Sequence, residues 1–174
     1  MNSFLVLQVV TVLLVAVAMA LALAHALELP GKLRLSRDTY LAVQPIYYPG
    51  FTAGGAIGEV GGLIATLILL IATPTGSRAF WLTLGAFAAL LLKHAAYWLL
   101  THPVNNFWLQ GTSIARFGAR FFSFDPLNRR SQAGALEWAA LRDRWEQSHV
   151  VRALLGLLSL TLLVAAVAIG PVAR

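Results

Sequence analysis

Seven ionisable side chains stand in or beside stretches of sequence that are otherwise almost wholly apolar: His25, Glu28, Glu59, His94, His102, Glu146 and His149. Glu146 and His149 are three apart, which puts both on one face of a helix. His25 and Glu28 repeat the spacing in reverse order. Helix bundles that bind two metal ions use Glu-x-x-His pairs on two helices and a glutamate from each of the others. On that template His25, Glu28, Glu59, His94, Glu146 and His149 are the expected ligands. Imidazole and carboxylate without thiolate suit iron, copper, zinc or manganese, and iron or copper would permit dioxygen chemistry. The chain has no cysteine, so thiolate-held metals and disulfides are excluded. Two other uses of the same histidines stay open. A histidine could act without any metal as a base near neutral pH, or His25 and His149 could ligate a haem iron from two helices.

Each of these residues also has a plain structural reading. Glu59 can pair with Lys93 as a neutralised couple between helices. His102, just before Pro103, can simply close its helix, and Glu28 can be solvated near the interface. Trp108 and Trp145 suit the aromatic belt of a membrane protein. Arg152, one turn beyond His149, needs either a counter-charge, from Glu146 or Glu59, or an anionic cofactor or ligand.

The elements that must position these groups are membrane helices. Hydrophobic residues make up 59% of the 174, and charged residues only 11%, against about 25% in soluble domains. Four segments are long enough to cross a bilayer, at about 2–29, 53–72, 79–101 and 145–169. The first resembles a secretory signal at Ala20, Ala22 and Ala24, but no Lys or Arg precedes it and its apolar run is too long, so it reads as an uncleaved span. Pro30 and Gly31 are expected to end it. Tyr47 and Tyr48 beside Pro45 and Pro49 read as interfacial anchors. Gly54, Gly55, Gly58, Gly61 and Gly62 open the second span and should let it approach a neighbour closely.

A short turn near Thr73–Ser77 makes spans two and three antiparallel neighbours. Pro103 places His102 at the end of span three. The connection over about 102–134, with Arg116, Arg120, Phe121, Phe122 and Phe124, reads as a lid or amphipathic segment on the membrane surface. The chain should turn helical again from Ala135. Of the Lys and Arg residues, nine fall in the first and third connections and two, Arg78 and Arg174, on the opposite side. By the positive-inside rule the two large connections are cytoplasmic and both termini lie outside. The net charge of +6 is thus a matter of topology and does not point to nucleic acid.

The expected architecture is a single all-α domain over residues 1–174, an antiparallel four-helix membrane bundle with both termini on one side. All four histidines and Glu28, Glu59 and Glu146 then gather in its cytoplasmic half. Each histidine of the two pairs lies about 4.5 Å deeper than its carboxylate at 1.5 Å per residue, so the pairs match in depth.

The run Leu141–His149, the stretch His102, Pro103, Val104, Asn105, and the stretch Leu29–Arg34 resemble the integral membrane family that includes the anthrone oxygenases, over nearly the whole chain. The resemblance implies four membrane helices and an enzyme that oxidises an anthrone to an anthraquinone without a cofactor. It implies functional roles for His102, Asn105, Trp145, Glu146 and His149, and a bacterial inner membrane as the location. The expected function is a membrane oxidoreductase of oxygenase type. Its substrate would be a small apolar phenolic or quinone-like molecule, with His102 or Asn105 orienting it. The partners expected are the lipid bilayer and that substrate, and association of copies is left open. A haem electron carrier, or a non-catalytic helper or small transporter with a buried polar network, is the alternative. A transporter predicts further polar groups in the outer half, which the sequence leaves almost wholly apolar.

Overall fold

The computed structural model describes residues 2–108, 124 and 137–170, and among these every regular element is helical. Four helices have the length and apolar character to cross a membrane. The first, α1, is Ser3–Lys32, opened by the Asn2 side chain, which accepts from the Phe4 amide. A short helix α2, Arg37–Val43, capped by Ser36, leads into a 3-10 turn, Gln44–Tyr47. The second long helix, α3, is Gly50–Ala72, with one π turn at Ala56–Val60. Ser77 caps α4, Arg78–Ala96, which continues through a π turn, Tyr97–Thr101, into α5, His102–Trp108. The last helix, α6, is Trp138–Ile169, ended by Gly170 at φ 68°, a left-handed conformation that suits glycine. Helix α6 packs along α1 and α4, and α3 packs against both as well.

Two expected helix ends are overrun. Helix α1 continues through Pro30 and Gly31 to Lys32, with the Leu33 amide still bonded to the Leu29 carbonyl at 3.0 Å. A proline in the last turn costs one backbone bond, and the added turn places Lys32 four residues below Glu28, within 2.9 Å of its carboxylate. Pro103 likewise fails to stop the third span. It has no N–H to offer the Leu99 carbonyl one turn back, and that carbonyl accepts instead from Arg144 on α6 at 2.7 Å. The preceding turn is wound as a π turn, a form that frequently marks functional positions. The loop expected over 109–123 and 125–134, and a helix start at Ala135, lie outside the described residues.

The glycines of α3 do the work their pattern suggests. A Cβ on Gly58 would meet the Ala18 backbone nitrogen at 2.8 Å, and one on Gly62 would meet Val15 at 3.3 Å. Because backbone cannot step aside, Gly58→Ala should cost about 1–3 kcal/mol despite alanine's better helix propensity. A lower thermal midpoint in detergent would register it, and an unchanged midpoint would refute the close approach.

The two ends of the helix assembly differ in chemistry. One packs Val15, Leu69, Ala86, Leu90 and Leu163. Its buried hydroxyls are satisfied locally: Thr11, Thr66 and Thr83 each donate to the carbonyl four residues earlier, and Ser159 donates to Ala86. The other end holds an aromatic cluster of Tyr40, Tyr47, Val104, Trp108, Leu141 and Trp145, and the ionisable groups lie there.

Candidate functional site

Glu146 is fully buried on α6, where it accepts from the Tyr40 hydroxyl at 2.7 Å and lies 3.5 Å from Lys32 Nζ. Glu28, partly exposed, accepts from the Tyr47 hydroxyl at 2.6 Å and lies 2.9 Å from the same ammonium. One buried lysine thus serves two carboxylates, from helices α1 and α6. Burial, and after it the neighbouring Glu146, holds the Tyr40 hydroxyl above the ordinary phenol range, and burial with the bond to Glu28 does so for Tyr47. Both remain hydrogen-bond donors.

One turn deeper, His25 and His149 meet with ring centroids 4.3 Å apart, as the matched depths of the two pairs require. Hydrogen bonds settle the state of His149. Arginine can only donate, so Nε2 of His149 accepts from Arg152 at 3.2 Å, and Nδ1 donates to the Trp145 carbonyl at 2.8 Å. Both nitrogens of His149 are therefore occupied. His25 is boxed by the rings of Tyr47, Phe51, Trp145 and His149. Its Nδ1 has no hydrogen-bond partner and lies 3.8 Å from Glu28.

A cationic cluster follows on the far side of the histidines. Glu59, in the π turn of α3, accepts from Lys93 at 2.6 Å and from Arg152. The pairing of Glu59 with Lys93 holds, and Glu59 is also the counter-charge of Arg152. The guanidinium lies over the Tyr97 ring at 5.1 Å. Close packing makes the cluster compact: a Cβ on Gly156 would sit 3.2 Å from Met19 and 3.4 Å from the Lys93 side chain.

Between these groups lies a cavity of about 210 Å3. His25, His94, His149, Glu59 and Arg152 contribute its polar wall, and Tyr47, Tyr48, Phe51, Tyr97, Trp98 and Trp145 its aromatic one. Tyr47 and Tyr48 are thus cavity residues and not merely anchors. Asn105 also lines it and accepts from the Trp145 indole at 2.8 Å, fixing that ring. His102 is not on the cavity wall. Its Nε2 donates to the Phe124 carbonyl at 2.5 Å, so its Nδ1 accepts from the Tyr97 hydroxyl at 3.1 Å. It positions Tyr97, and α5 runs on beyond it.

The six expected metal ligands do not converge. Among the described residues no three histidine, aspartate or glutamate side chains form a metal-holding group. Glu28 and Glu146 are held by Lys32, and Glu59 by Lys93 and Arg152, so a cation would have to displace ammonium or guanidinium partners from each carboxylate. The histidine rings of His25 and His149 touch each other, leaving no space for a haem iron between them. The donor set fits neither a metal pair nor a haem. Sequence reasoning also passed over Lys32, taken for a loop charge, and Tyr40, whose short helix carries no periodic signal of its own. Compared with family models, with curated proteins and with solved structures, the chain matches none.

Proposed function

We propose that this chain is a membrane-embedded oxygenase that uses a histidine base, without a metal or haem, on a small apolar phenolic, anthrone-like or quinone-like substrate. The observation that carries the reading is the aromatic-walled cavity with His25 on its wall. The imidazole of His25 has a carboxylate, Glu28, beside Nδ1. A histidine facing a cavity of substrate size is what proton abstraction needs. Two cations, Lys93 and Arg152, share Glu59 beside the cavity, so the anion left by proton removal faces surplus positive charge. Such preorganised charge is the largest single source of catalysis in many enzymes.

For an anthrone methylene the chemistry balances with dioxygen alone. Removal of one C–H proton gives a carbanion, which transfers its electrons to dioxygen and forms a C–O bond. The peroxide oxygen takes back a proton. Loss of the second C–H proton breaks the O–O bond, leaving a carbonyl and one water. The substrate loses two hydrogens and gains one oxygen atom for each dioxygen consumed. We place the chain in a bacterial inner membrane as an antiparallel bundle, both termini outside and the large connections cytoplasmic, in keeping with the arginine and lysine distribution.

The test is oxygen uptake by the detergent-purified chain given anthrone, with product followed by absorbance. One dioxygen consumed per anthraquinone formed is the expected result. Gly55→Leu supplies the control: Gly55 lines the cavity and a Cβ there meets nothing within 4 Å, so the variant should fold and lose at least about tenfold in kcat/KM as its side chain fills substrate space. Uptake no faster than in empty micelles, or a Gly55→Leu protein as active as the parent, would reject the reading. A non-catalytic polar network would give the first of these outcomes.

A further inference from the structure

The cluster around Glu59 is one negative charge short. Its carboxylate accepts from both Lys93 and Arg152, and all three side chains are buried. His149 offers Arg152 a neutral nitrogen, and Arg152 Nε is buried without an acceptor. An uncompensated cation is costly inside a membrane protein, and such groups mark ligand sites. Arg152 and Glu59 line the cavity, while Lys93 does not. The surplus charge therefore meets a ligand through Arg152.

We infer that Arg152 forms a subsite for one ionised oxygen, a phenolate or enolate, carried on a flat apolar ligand in the cavity. The inference rests on the reading of this cavity as the substrate site and adds the ionisation state in which the substrate is held. The flat body is argued from the wall: Tyr97 lies under the guanidinium, and Trp98, Trp145 and Phe51 supply further ring faces. A carboxylate ligand of similar size would have the charge, but a phenolate keeps it on an atom conjugated with the ring, where ionisation also activates the carbon to be oxidised. The groups facing Arg152 are Glu59 from α3, Lys93, His94 and Tyr97 from α4 and its π turn, His149 from α6, His25 from α1, and Tyr48 ahead of α3. Of these only Glu59 carries a negative charge.

The experiment uses 2-hydroxyanthraquinone, whose phenol and phenolate absorb at different wavelengths, with 2-methoxyanthraquinone as its uncharged match. Tryptophan quenching reports binding to the full-length protein in detergent, and a pH series reports ionisation of the bound dye. A cation within about 4–6 Å lowers an acid's pKa by about 1–3 units, so bound dye should ionise about one to three pH units below dye in empty micelles. Arg152→Gln should return ionisation to the micelle value. Lys93→Met leaves Arg152 and Glu59 one to one, and it should shrink the shift even if Arg152→Gln fails to fold. The methoxy compound should bind about tenfold more weakly above the shifted midpoint. Dye that binds but ionises as in micelles overturns the subsite and leaves the cavity reading standing. A shift undiminished in Lys93→Met also overturns it. A phospholipid phosphate in the subsite would show as unshifted dye with one equivalent of phosphorus per chain, again against the inference. Binding of neither dye would reject the substrate cavity itself.

Discussion

His25→Asn is expected to lower kcat for anthrone oxidation by about 10²–10⁴-fold, the usual contribution of a positioned base, while KM changes little. Of the other histidines, His149 and His102 are committed elsewhere. His149 has both nitrogens committed, to Arg152 and to the Trp145 carbonyl. His102 has both committed as well and stands off the cavity wall. His94 lines the cavity as well, but the carboxylate on its side, Glu59, is held by Lys93 and Arg152. Asparagine keeps a polar group among the four surrounding rings, so the protein should still fold and bind the dye. A His25→Asn protein with undiminished kcat would remove the base from the proposed reaction.

The second large effect is on stability. Glu59→Gln leaves Lys93 and Arg152 buried with no anion, and breaking a buried pair in this way costs about 3–5 kcal/mol. Lys93→Met should cost much less, because it leaves Glu59 and Arg152 matched and puts an apolar chain of similar length in a fully buried position. The order of the two is the informative quantity. Unfolding in mixed detergent should show Glu59→Gln far less stable than Lys93→Met. Equal losses would mean that the cluster is neutral as it stands, with Lys93 uncharged.

Much of the site follows from periodicity alone. Reversed spacing on α1 and α6 matches His25 with His149 and Glu28 with Glu146, and the structure brings the first pair into ring contact and joins the second through Lys32. The four spans are visible for the same reason, since a bilayer-length apolar run has few alternatives. The expected metal ligands do not meet as a group among the described residues, because each carboxylate is held by a cation that the spacing along its own helix does not show. Lys32 was hidden behind Pro30 and Gly31, which mark a stop in soluble helices. Here the helix continues, and the lysine is drawn into contact with two carboxylates. Pro103 misled similarly: the carbonyl it orphans is taken by Arg144, forty-five residues away, a partner that no local rule could name. Tyr40 and Tyr47 sit in short connecting elements that gain their shape from packing under Trp108 and Trp145.

The threefold cluster of Glu59, Lys93 and Arg152 also bears on how the chain enters the membrane. A charged residue at the middle of an inserting helix adds about 2.5–3.5 kcal/mol, so none of the three helices is well suited to enter alone. Helices α3 and α4 are separated by only the five residues Thr73–Ser77, and together they carry Glu59 and Lys93 as a neutral couple. They can leave the translocation machinery as one unit. Helix α6 follows after the long third connection and brings Arg152 to a carboxylate that already has a partner. The surplus charge therefore arises only at the last step of assembly, when the cavity closes around it.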